Sequence, residues 1–206
     1  MILTDKFVWF HFGKTAGDFT RNVFETYIPE QITDSIGTLN KNKHIRPVDF
    51  YVKNKNLSDL PAIINFRKLS TWICSYNRHH LIHVLNKSEE IQYDLVDFCA
   101  KQTKNGLVIQ NPSKICNMDI RDWGSADIFM DAVYLTHKFQ FIRFENIQKD
   151  LEKLIEKYFQ KKIHINKNKI NQNIVVPTIS LTKNDIAKIY DNNPKWSKLE
   201  KEVYNE

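Results

Sequence analysis

The residues best equipped for chemistry lie near the start, in "HFGKTAGDF" at 11–19. A Gly-Lys-Thr step behind an apolar run offers backbone N–H groups and an ammonium to an anion, as phosphate cradles do. The spacing is not that of the common ATP-binding loop, G-x-x-x-x-G-K-[ST]. With Gly13-Lys14-Thr15 as its end, that loop's first glycine would fall at position 8, which is Val8. Glycine returns after the lysine, at Gly17. A second pair suited to a phosphate is Arg67, directly behind the apolar run "PAIINF", and Ser75 eight residues on. A guanidinium and a hydroxyl converging on one group would hold a second phosphate. Proton transfer near neutral pH falls to His or Glu, and seven histidines compete for it. His79 and His83 have the i, i+4 spacing of a metal pair but no evident third ligand, so they read as helix-face residues. His11 reads as buried beside the loop. Glu145, at a strand end, reads as a structural group that orients the phosphate loop.

The elements that must position these groups follow from periodicity. "KFVWFHF" is short and almost wholly apolar, the mark of a strand buried on both faces. "DFTRNVFETYI" spaces Phe19, Val23, Phe24 and Tyr27 as a helix, with Asp18 as its expected N-cap and Pro29 as its stop. Strand, glycine turn and helix aim amide dipoles at an anion. A short helix is expected over 47–52, a second buried strand over 61–66, a long helix over 70–85 capped by Ser70, and another helix over 93–101. Residues 106–124 read as loop. "KFQFIRF" (138–144) is a third strand, leading into a helix striped by Ile147, Leu151, Leu154, Ile155 and Tyr158. Thr182 and Asp185 open a further helix with a capping-box-like start, and "PKWSKLEKEVY" is the last. Strands separated by helices predict an α/β fold with a central parallel sheet flanked by helices. With no internal repeat or linker, the expectation is one domain over 1–206.

Bulk properties narrow the partners. At 206 residues and 42% hydrophobic, the chain can build a substantial core, and global disorder is excluded. A net charge of +6 suits an anionic ligand. Nucleic-acid binding is not expected, because the basic stretch at 161–169 lacks the interleaved aromatics that stack on bases. Cys74, Cys99 and Cys116 form no C-x-x-C pair and suggest neither a disulfide framework nor zinc. No signal peptide or membrane-length apolar run is evident, so a soluble chain in the reducing cytoplasm is the expectation.

Taken together, the two anion-binding elements resemble the sulfotransferases that use 3′-phosphoadenosine 5′-phosphosulfate (PAPS). "GKTAGDF" is similar to that family's loop for the 5′-phosphosulfate, with Lys14, Thr15, Ala16 and Gly17 matching. Arg67 and Ser75 are similar to its 3′-phosphate element, with Trp72 and Tyr76 in familiar positions. "FIRFENIQKDLEKLIEKYF" resembles its strand ending in Arg-[YF]-Glu-[DN]-[LI] and the helix after it. Carbohydrate-type and bacterial members also have segments like "IHINKNK" and "LTKNDIAKIYDNNPKW". Residues 90–135 carry no likeness.

The resemblance implies a P-loop-NTPase-like sulfotransferase fold and transfer of a sulfuryl group from PAPS to an acceptor hydroxyl, on a carbohydrate or small molecule, leaving PAP. It implies a donor site of Gly13, Lys14, Thr15, Ala16, Gly17, Asp18, Phe19 and Thr20 with Arg67 and Ser75, to which Lys167 would add a contact at the 3′-phosphate. Lys14 would neutralise the leaving oxygen, and His44, in "NKHIRPVDF", would be the base. No metal is implied. One position departs from the family: Asp18 stands where Thr or Ser is usual. A carboxylate a few ångströms from a phosphate would repel it by about 1–4 kcal/mol at effective dielectrics of 80 down to 20. Two rival readings therefore stand beside the enzyme: a P-loop-like phosphotransferase, and a catalytically degenerate domain that binds PAP or a glycan.

Overall fold

The computed structural model describes residues 1–35, 45, 47–75, 100–103, 106–109, 139–166, 183–191 and 193–205. Its contacts group into two compact units, the first formed by Met1–Lys68, Phe129–Ile170 and Glu202–Glu206, the second by Leu69–Ile128 and Asn171–Lys201. The first unit holds a five-stranded sheet built from β1 (Ile2–Thr4), β2 (Val8–Phe10), β3 (Ile32–Ser35), β4 (Ala62–Phe66) and β7 (Phe139–Arg143). The strand order is β3-β1-β2-β4-β7.

The three expected strands are neighbours and parallel, with Phe10 beside Ile64 in one pair and Phe66 beside Arg143 in the next. The sheet as a whole is mixed, not parallel, because β1 runs antiparallel to both β2 and β3. Thr4 makes the reversal. Its buried hydroxyl accepts the N–H groups of Lys6 (3.1 Å) and Phe7 (2.9 Å) and donates to the Phe7 carbonyl (3.0 Å), closing a side-chain-stabilised turn. Alternation along β2 covers both faces of the sheet. Trp9 packs on Phe24 of α1 (Gly17–Tyr27), in one cluster with Leu151, Leu154 and Ile155 of α4 (Ile147–Phe159). Phe10 turns the other way, against Phe50 and Tyr51 of α2 (Pro47–Lys53). Fully buried side chains such as these each contribute about 1.5–3 kcal/mol. At the β7–α4 corner, Asp150 accepts the Arg143 backbone N–H (2.9 Å), its Nε (2.9 Å) and its Nη2 (2.8 Å). That corner fixes where the intervening Glu145 stands.

In the second unit, residues 69–75 begin helix α3, whose first N–H, on Leu69, donates to Glu200 Oε2 at 2.7 Å. Glu200 belongs to α6 (Pro194–Tyr204) and its other oxygen accepts the Tyr190 hydroxyl of α5 (Lys183–Asp191) at 2.7 Å. Trp72 and Trp196 pack at 4.7 Å beside them. Ser70 thus lies inside the helix it was expected to cap, and the carboxylate of Glu200 supplies the acceptor at that end. A two-stranded hairpin, β5 (Ala100–Thr103) with β6 (Gly106–Ile109), replaces the end of the helix expected over 93–101 and the start of the loop expected over 106–124. Residues 76–99 lie outside the described residues. No helix among the described residues is long and apolar enough to cross a membrane.

Candidate functional site: the loop between β2 and α1

Parallel pairing brings the carboxyl ends of β2, β4 and β7 to one edge of the sheet, where open α/β sheets bind ligands. The loop after β2 carries Gly13, Lys14, Thr15 and Ala16; the residues after β4 are Arg67 and Lys68. Fifty-three residues apart in sequence, Arg67 and Lys14 meet here, with Arg67 Nη1 donating to the Lys14 carbonyl at 3.2 Å. Phe144, directly behind β7, lies under the Arg67 guanidinium at 3.8 Å. A cation on an aromatic face and a carbonyl in its fork hold that guanidinium half-buried at the edge.

The loop's backbone is unusual. Lys14 (φ 63°) and Ala16 (φ 65°) both occupy the left-handed region, on either side of Thr15, which does not. For residues with a Cβ this conformation costs roughly 1–2 kcal/mol each, so the surroundings must impose it. They do so through fixed bonds. Thr15, fully buried, donates its hydroxyl to the Phe12 carbonyl at 2.7 Å. Asn65, next to the carboxyl end of β4, donates to the Thr15 carbonyl at 3.0 Å and to the Thr20 hydroxyl at 2.7 Å. Its own oxygen accepts the Trp9 indole N–H at 2.7 Å. Two left-handed residues thus flank Thr15, and backbone turns that include such residues are known to gather successive N–H groups into concave anion sites. The N-terminus of α1 adjoins it.

Ala16, not Asp18, is the N-cap residue of α1, and no side-chain hydrogen bond caps that end. Asp18 is exposed in the first turn, where a carboxylate complements the helix dipole. This corrects the expected cap. The left-handed Ala16 sets the helix entry two residues earlier, leaving Asp18 past the capping position. Gly13 and Gly17 differ in what surrounds them. A Cβ on Gly13 would meet nothing within 4 Å, whereas one on Gly17 would fall 2.0 Å from His11 Cδ2 and Nε2. His11 is buried as expected and stacks on Trp9 with ring centroids 5.6 Å apart. Phe19 is half-buried against the core, and Thr20 is fully buried beneath the loop.

Glu145, expected as a structural group at a strand end, bonds to the backbone just behind β4. Its Oε1 accepts the Lys68 N–H at 3.3 Å, and Oε2 accepts the Tyr204 hydroxyl. Ser75 stands half-buried on α3 of the second unit. His44, Lys167, Tyr76, His79 and His83 lie outside the described residues. The residue that sequence reasoning missed is Asn65. Its signal was a lone amide inside "AIINF", which must find partners if that strand is buried. Arg21 was missed as well: it is buried on α1, 5.9 Å from the Trp9 ring centroid, with Glu25 at 3.6 Å. Compared with family models, curated proteins and solved structures, the chain matches none.

Proposed function

We propose that this chain is a PAPS-dependent sulfotransferase that moves a sulfuryl group to a hydroxyl, with a carbohydrate as the acceptor class its sequence resemblance implies. The observation that carries the reading is the meeting of Arg67 with the Lys14 loop at the carboxyl edge of the parallel strands, at 3.2 Å. The donor set suits a phosphosulfate. Gly13 leaves its face open to close approach, and the left-handed turns at Lys14 and Ala16 group main-chain N–H donors. Lys14 and Arg67 add two cations.

In this reading the loop amides hold the 5′-phosphate, and Lys14 stabilises the negative charge that grows on the bridging oxygen as its bond to sulfur breaks. The acceptor oxygen forms the new bond to sulfur from the opposite side, and His44 takes its proton. Arg67 reads the 3′-phosphate, with Ser75 and Lys167 assigned to the same group by the resemblance.

A second reading, a domain that binds PAP without turnover, is favoured by one observation: the exposed carboxylate of Asp18 in the first turn of α1. Titration with PAP, AMP and ATP, followed by a sulfate-transfer assay over an acceptor panel, separates the possibilities. Selective PAP binding with transfer supports the enzyme, and PAP binding without transfer supports the second reading. A preference for ATP would sink both in favour of a phosphotransferase. Within the enzyme reading, Arg67→Ala should lower the PAP-to-AMP affinity ratio by about 1.5–3 kcal/mol, the range for a hydrogen bond to a charged group. An unchanged ratio removes Arg67 from the 3′-phosphate.

A further inference from the structure

Asn65 is wholly buried near the carboxyl end of β4, between Ile64 and Phe66. An amide there is costly unless its polar atoms are bonded. The bonds it makes also settle which way it points. Trp9 Nε1 can only donate and the Thr15 carbonyl can only accept, so oxygen faces the indole and nitrogen faces the loop. The two nitrogen bonds bracket the loop and the first turn of α1, one at Thr15 and one at Thr20.

A trans peptide unit points its N–H opposite to its C=O, and the peptide bonds of the described residues are all trans. By drawing the Thr15 carbonyl toward β4, Asn65 turns the Ala16 N–H away from that strand. Arg67 does the same one residue earlier, drawing in the Lys14 carbonyl and so turning out the Thr15 N–H. We infer that Asn65 is a positioning residue for anion binding: it touches no ligand, and it sets the direction in which the loop presents its amides. This rests on the reading of the loop as a phosphosulfate site, and it adds a residue outside the motif that suggested that site.

The test pairs Asn65→Leu, close in volume and without donors, with Trp9→Phe, which removes the third bond of the same amide and leaves both loop bonds in place. Thr20→Val drops one loop bond from the opposite side and serves if Asn65→Leu does not fold. Amide hydrogen exchange over 13–19 is measured on the ligand-free protein, and dissociation constants for PAP and for inorganic pyrophosphate are measured by titration. The expected result is at least tenfold faster exchange and at least tenfold weaker anion binding in Asn65→Leu. Thr20→Val should move both in the same direction, and Trp9→Phe should change neither by more than twofold, although both Asn65→Leu and Trp9→Phe lower the melting temperature. Equal effects of Asn65→Leu and Trp9→Phe, or unchanged exchange and affinity in both loop-bond variants, would reduce Asn65 to a core residue. Pyrophosphate binding that depends on Asn65 in a protein that ignores PAP would uphold the inference and overturn the sulfotransferase reading. A wild-type protein that binds neither overturns both.

Discussion

The His11 imidazole occupies the space that any side chain at position 17 would need, with a Gly17 Cβ falling 2.0 Å from two ring atoms. Gly17→Ala should therefore displace a buried ring and destabilise the fold by about 1–3 kcal/mol, the usual cost of overpacking. Gly13→Ala should leave stability within about 0.5 kcal/mol of wild type, since its Cβ points into open space. Its effect should be on PAP affinity, expected to fall at least tenfold. Thermal melts with PAP titrations on both variants check the contrast, and a Gly13→Ala protein with unchanged affinity would take the phosphate off that face of the loop.

Lys14→Ala should lower turnover far more than it weakens PAP binding. An interaction made only as charge develops in the transition state affects kcat, whereas one made equally throughout affects binding alone. Kinetics of sulfate transfer and PAP titration on the same preparation measure the split. Equal losses would make Lys14 a ground-state phosphate ligand.

Asp18→Thr removes a carboxylate from the first turn of α1 and supplies the hydroxyl usual in the family that the sequence resembles. Asp18 is not the N-cap residue of α1 but lies in its first turn, where a carboxylate's dipole contribution is about 0.3–1 kcal/mol. PAPS binding should tighten by about 1 kcal/mol, the lower end of the removed repulsion. Weaker binding in the variant would show that the carboxylate is an adapted part of the site.

Alkaline stability should report on Tyr51, which is buried beside Phe10 and whose phenol burial pushes up to about 12. The unfolded phenol ionises near 10. A raised folded pKa contributes stability that is intact below about 10 and is lost as pH climbs from there to about 12. Denaturant titrations at stepped pH should show this fall, with Tyr51→Phe flattening it by up to about 1.4 kcal/mol per pH unit. An unchanged slope in the variant would place the alkaline loss elsewhere, with Tyr190, raised by burial and by Glu200, the next to test.

What could be read from the sequence was what repeats locally. Leu151, Leu154 and Ile155 marked α4 by their spacing, and Ala62–Phe66 marked a strand by its unbroken burial. β1 and β3 escaped because β1 spans only three residues and β3 reads "ITDS", too polar to register as buried. The β5–β6 hairpin escaped because its strands, "AKQT" and "GLVI", are four residues each and border a stretch that looked like loop. Of the candidate site, Lys14 and Arg67 could be recognised one at a time. The restraints that make a shape of them could not, because Asn65 and the left-handed Lys14 and Ala16 acquire meaning only once β2 and β4 lie side by side.

The sequence separations of Asn65's bonds, 45, 50 and 56 residues, decide when the loop can exist during folding. Closing contacts over such distances costs chain entropy before it returns any stabilisation. A peptide carrying the whole glycine-lysine motif but ending before β4 would therefore lack the cradle. The motif names the residues, and the docking of a distant strand gives them a fixed arrangement.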